Sequence, residues 1–273
     1  MARALSDMSV STVSGRWSDF GLRLLSAAVL GPVVLLCVWS GGIAWELLVE
    51  AALLGLGAEW ARLMKRGRGL LLLLPLALGV SGAVAMLAGY PASLAVMALL
   101  TVLIAGRFGW FAAVGLPYAG LGALALLWLR LQPHRGLHDT MFLLIVIWGT
   151  DIGAYLVGRV IGGPKLAPRI SPGKTRSGSI GGLIIGGFCG ALVAGGLHGP
   201  DAFALLAGFS LSIFAQAGDL LESAIKRRLG VKDSGGTIPG HGGLFDRLDS
   251  FLTAAPVAAI LALSVHGGLP LWG

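Results

Sequence analysis

A chain of 273 residues, 56% of them hydrophobic and only 12% charged, with a mean hydropathy of +0.85, lies outside the range of water-soluble globular domains. It reads as an all-α polytopic membrane protein, because apolar runs of about 20 residues suit helices across a hydrocarbon core of about 30 Å and are too long for barrel strands. The net charge of +7 does not imply a nucleic-acid partner. Its one-sided placement along the chain points to topology and to anionic lipid headgroups instead.

Residues 1–21 form a polar segment with no cleavable signal pattern, so the first apolar run is expected to anchor the mature chain. Nine spans follow, near Leu22 to Ser40, Ile43 to Ala61, Leu70 to Ala88, Pro91 to Gly106, Trp110 to Leu129, Met141 to Gly158, Ser179 to Leu197, Ala202 to Leu221 and Leu248 to His266. With the N-terminus in the cytoplasm and the C-terminus in the periplasm, all of the 20 Lys and Arg residues except Arg130 and Arg135 fall on the cytoplasmic side. That bias is what the positive-inside rule requires. The first five spans make an N-terminal transmembrane region, 22–140. The last four make a region, 141–273, that carries the chemistry, with two basic cytoplasmic loops, 159–178 and 222–247.

Glu46, Glu50 and Glu59 share the second span, and the first two, one turn apart near its outer end, are expected to snorkel to the interface. Cys37 and Cys189 are isolated in apolar spans and read as packing residues. Gly178, Gly182, Gly186 and Gly190 recur every four residues and line one helix face. Close packing within the chain is the favoured reading of that face, ahead of a dimer contact.

The charged residues between the last two spans need a different explanation. Asp219 ends the eighth span, and Asp246 and Asp249 open the ninth on one helix face. Carboxylates near bilayer depth are costly unless paired or bound to metal, and oxygen-only ligands favour Mg²⁺ or Mn²⁺. The alternative is that they form structural ion pairs with Lys226, Arg227 and Arg247. Three acids beside Lys226, Arg227, Arg228 and Lys232 tip the balance toward polyphosphate chemistry, in which a metal and cations share the phosphate charge. Gly240, Gly242 and Gly243 would let backbone N–H groups approach an anion at a helix N-terminus. His241 suits a phosphate contact, an acid role or simple ordering of the turn. Asp151, within the sixth span, is a functional candidate by its depth. Lys165, Ser171, Lys174 and Thr175 follow it in a second basic loop.

Residues Ser223 to Asp249, SAIKRRLGVKDSGGTIPGHGGLFDRLD, resemble the signature of the phosphatidate cytidylyltransferase (CDP-diacylglycerol synthase) family, as do TDIGAYLVGR (Thr150 to Arg159) and KLAPRISPGKT (Lys165 to Thr175). The likeness covers the last half of the chain, with only Glu59-Trp60 before it. Where the family usually has two lysines before the Thr and an acid before the following Gly, this chain has Gly173 and Ser177.

The resemblance implies transfer of CMP from CTP to phosphatidate, giving CDP-diacylglycerol and pyrophosphate, in a bacterial inner membrane with the site facing the cytoplasm. It also implies a homodimer. Asp219, Asp246 and Asp249 would hold Mg²⁺, or Mn²⁺, with room for a second ion. Lys226 and Arg247 would act in catalysis with these aspartates. Arg227 and Lys232 would bind phosphate, Ser223, Asp233 and His241 would shape the loop, and Asp151, Lys165, Ser171, Lys174 and Thr175 would form the facing wall. The rival readings are another CTP-dependent lipid or polyprenol phosphotransferase, or an ion-coupled membrane transporter with Asp151 and Asp219 in the ion path.

Overall fold

The computed structural model describes residues 26, 28–198, 202–238, 240, 242–264 and 271. The chain runs through α1 (Ala28–Ser40), α2 (Gly42–Met64), α3 (Arg68–Ala88), α4 (Tyr90–Phe108), α5 (Trp110–Ala113), α6 (Gly115–Arg130) and α7 (Gly136–Val160). A hairpin of β1 (Lys165–Ala167) and β2 (Ser171–Thr175) precedes α8 (Arg176–His198), α9 (Ala202–Arg228) and α10 (Phe245–Ser264).

Among the described residues seven helical segments are long and apolar enough to cross a membrane: α3, α4, α5 with α6, α7, α8, α9 and α10. The other two expected spans are also helical. α1 is shorter over its described residues, and α2, 23 residues long, carries Glu46, Glu50, Glu59 and Arg62. The polar segment 1–21 lies outside the described residues.

Several helices run past the expected span ends, with α7 beginning at Gly136, α8 at Arg176 and α10 at Phe245. α9 continues past Leu221 to Arg228, because Ile225 and Leu229 pack against the core and carry the helix beyond its purely apolar stretch. The first basic loop contains the antiparallel β1–β2 hairpin, with Lys165 opposite Thr175 and Ala167 opposite Ser171. No alternation of apolar and polar residues announces it.

The α7–α8 seam follows from glycine. A Cβ on Gly178 would meet the Ala154 carbonyl at 2.7 Å, one on Gly182 the Thr150 carbonyl at 2.7 Å, and one on Gly190 the Phe142 ring at 2.9 Å. Gly186 is closed in the same way by the Thr150 side chain. From α7, Gly149 receives Cys189, and Gly158 lies against Gly178. The four-residue glycine face is therefore turned inward onto α7, as close helix approach in lipid requires. Cys37 and Cys189 are both free.

Glu50 does not run to the helix end. Its carboxylate fills the notch that Gly79 and Gly82 leave on α3. Arg130 and Arg135, the two cations expected on the far side, serve helix ends there. Arg130 donates to the carbonyls of Val38 and Trp39 at the end of α1. Arg135 donates to the Ala262 carbonyl in the last turn of α10 at 3.1 Å. Each meets carbonyls that a helix terminus leaves unpaired.

Gly182→Ala is expected to lower stability by about 1–3 kcal/mol, because the methyl meets backbone that cannot rotate away. Gly106→Ala, where a Cβ meets nothing within 4 Å, is expected to be neutral. Thermal unfolding of the two variants in detergent checks the contrast.

Candidate active site

The hairpin and the same-side ends of α7, α8, α9 and α10 enclose a cavity of about 740 Å³. α7 supplies Asp151, Tyr155 and Arg159, and β2 supplies Lys174 and Thr175. α9 contributes Gln216, Asp219, Glu222 and Lys226, while Asp233 comes from the following loop and Asp246, Arg247 and Asp249 from the first turns of α10. All five residues expected to act in catalysis meet here. So do Asp151, Lys174, Thr175 and Asp233 from the expected binding set.

The other candidates sit elsewhere. Lys165, Ser171, Ser223, Arg227, Lys232, Gly240, Gly242 and Gly243 do not line the cavity, and His241 lies outside the described residues. Arg227 ties α9 to the hairpin, donating to the Ile170 carbonyl at 3.2 Å and to the Val231 carbonyl at 3.2 Å. Gly240 and Gly242 have φ of 74° and 84°, a left-handed backbone that glycine adopts without strain, around the Ile238–Gly242 bridge. Their place in the structure is a tight turn.

Local chemistry fixes the walls. Thr175 accepts the Gly178 N–H at 3.1 Å and so caps the N-terminus of α8. Ser177 donates to the Gly162 carbonyl, closing the base of the hairpin. Thr150 and Ser212 are joined at 2.8 Å between α7 and α9, and Ser179 of α8 donates to the Gln216 amide oxygen of α9 at 2.6 Å. These bonds satisfy polar groups inside the bundle and hold the three helices in one register.

Charge is distributed in two groups. In the first, Lys226 is clasped between Glu222 at 2.5 Å and Asp246 at 2.6 Å. Asp246 also accepts the N–H groups of Ser234 at 3.1 Å and Gly243 at 2.9 Å, so both of its oxygens are engaged. In the second, Lys174 pairs with Asp219, and Asp151 and Asp249 each lie within electrostatic range of both. Asp249 accepts a local bond, the Ser250 N–H at 2.7 Å.

No three His, Cys, Asp or Glu side chains among the described residues converge into a ready metal cage. The donor set nevertheless suits Mg²⁺, which is commonly bound by one or two carboxylates together with substrate phosphates. Asp219, which is paired with Lys174, and Asp249 are the carboxylates that would meet that requirement. Asp246, the third expected ligand, already serves Lys226 and two backbone amides.

Sequence reasoning gave no role here to two residues of this region. Glu222 is buried, and its place one turn before Lys226 is the signal that could have found it. Glu59, on α2, is fully buried and accepts the N–H groups of Leu244 at 2.7 Å and Phe245 at 3.0 Å.

Comparison with known proteins shows the family of the chain. Residues 21–265 match the cytidylyltransferase family. A phosphatidate cytidylyltransferase of Brucella suis biovar 1 (strain 1330) is 40% identical over 248 residues, covering 87% of this chain and 91% of that protein. One from Staphylococcus saprophyticus is 40% identical over 181 residues, covering 60% of this chain and 65% of that protein. With four-fifths or more of the chain matched, including every helix that lines the cavity, this protein belongs to the cytidylyltransferase family.

Proposed function

We propose that the protein is a phosphatidate cytidylyltransferase, which transfers CMP from CTP to phosphatidate and gives CDP-diacylglycerol and pyrophosphate. The observation that carries this reading is one cavity at the bundle end holding Asp151, Asp219 and Asp249 together with Lys174, Lys226 and Arg247. A phosphate oxygen of phosphatidate forms the new bond to the α-phosphorus of CTP as the bond to pyrophosphate breaks. That nucleophile is already ionised near neutral pH, so the site needs no strong general base. It needs positioning and charge neutralisation instead.

Lys174, on the hairpin, and Arg247, in the first turn of α10, both line the cavity and would bind phosphate. Lys226 is held between Glu222 and Asp246, so it would act by fixing that corner of the cavity and not as a free positive charge on the departing pyrophosphate. Asp219 and Asp249 would hold Mg²⁺ with the substrate phosphates, and Mn²⁺ suits the same ligands. When bound, the ion offsets phosphate charge. Asp151 is the carboxylate available for a second ion. A lipid substrate and a soluble triphosphate meet only at a membrane surface. Support for a cytoplasmic site in a bacterial inner membrane comes from the basic turns at this end of the bundle and from the positive-inside rule.

Purified full-length protein given CTP, phosphatidate and Mg²⁺ is expected to release pyrophosphate, and chelation to stop it. Asp219→Asn and Asp249→Asn, confirmed as folded by size exclusion, are expected to turn over about 100-fold or more slowly. Wild-type turnover in either variant would return that aspartate to a structural role.

Lys226→Met leaves two buried carboxylates facing each other. It is expected to destabilise the protein by about 3–5 kcal/mol, with part of the loss recovered by adding Glu222→Gln. Thermal unfolding of the single and double variants measures both.

A further inference from the structure

We propose that Glu59 is a positioning residue for the transferase reaction, acting from α2, a helix that contributes nothing to the cavity wall among the described residues. Its carboxylate is fully buried and takes three donors from the segment that carries Asp246. Oε1 accepts the Leu244 N–H at 2.7 Å, and Oε2 accepts the Phe245 N–H at 3.0 Å and the Ser234 hydroxyl at 3.3 Å. The two amides belong to the N-terminus of α10, where Phe245 is buried and a carboxylate also meets the positive end of the helix dipole.

Glu59 and Asp246 divide the same stretch of backbone between them. Ser234 gives its hydroxyl to Glu59 and its N–H to Asp246. Of three consecutive amides, Gly243 serves Asp246 while Leu244 and Phe245 serve Glu59. The glycines permit this wrapping, since a Cβ on Gly243 would meet Glu59 Oε2 at 2.8 Å and one on Gly235 would meet Oε1 at 3.2 Å. The neighbouring Trp60 holds the same residue by its side chain, its ring centroid 5.6 Å from that of Phe245. Asp246 therefore reaches Lys226 from a corner whose position is set by Glu59. Asp249, one turn further along α10, inherits the direction of that helix.

An amide at position 59 keeps the shape but turns one acceptor into a donor facing backbone N–H groups. The corner must then move, and in-line displacement is sensitive to shifts of about 1 Å. This inference rests on the transferase reading above.

The experiment uses full-length wild type, Glu59→Gln, Glu59→Asp and Ser234→Ala, each quantified as monodisperse folded protein. For Glu59→Gln, kcat per folded molecule is expected to fall about 10- to 100-fold while KM for CTP moves less than about threefold. Glu59→Asp, which retains the charge, is expected to recover part of the loss. Should Glu59→Gln not fold, Ser234→Ala decides. It removes only the hydroxyl donor and is expected to lower kcat about threefold or more. Wild-type kcat per folded molecule in Glu59→Gln, or in Ser234→Ala when that variant is the one available, overturns the proposal. No turnover by wild type overturns the transferase reading instead.

Discussion

The site depends on the half-buried ammonium of Lys226. Glu222 lies on its own helix one turn away and Asp246 on the next helix, at 2.5 Å and 2.6 Å, so the pair of bonds joins the end of α9 to the start of α10. Two carboxylates around one cation leave an excess negative charge in a poorly solvated place. The N–H groups of Ser234 and Gly243 on Asp246 meet part of it. An arrangement of this kind has little freedom to relax, which is an asset where developing charge must be met without reorganisation.

Everything else brings four helix ends to that clasp. The glycine seam draws α8 onto α7 and carries Asp151 toward the cavity, while Thr175 caps α8 and fixes the strand that bears Lys174. From the other half of the chain, Glu59 and Trp60 of α2 grip the first residue of α10. The N-terminal helices thus do more than anchor the protein. Arg228 stacks over Phe111 at 4.7 Å and adds a second tie between the halves.

The helices were legible because each is a long apolar run, and the inward glycine face because its period of four cannot be mistaken for a strand. The cavity aspartates stood out because carboxylates near bilayer depth need a reason. Other features left weaker marks. Thr175 lines the cavity as expected and also caps α8, a second role that shows only once the helix that follows is in place. Gly240 and Gly242 read as an anion cradle because a positive φ serves turns and cradles equally. Arg227 read as a phosphate ligand, yet it holds the hairpin through carbonyls that no sequence pattern reveals. Glu59 was invisible as a partner of Phe245, 186 residues away, since only the packing of α2 on the start of α10 brings them together.

If this cavity moves a cytidylyl group, the position of a label in the products reveals it. CTP radiolabelled at the α-phosphate and CTP labelled at the γ-phosphate are supplied separately with phosphatidate to the purified protein. α-Label is expected in the lipid product and γ-label in the released pyrophosphate. Appearance of γ-label in the lipid, as a CTP-dependent kinase would give, or of neither label, would contradict cytidylyl transfer.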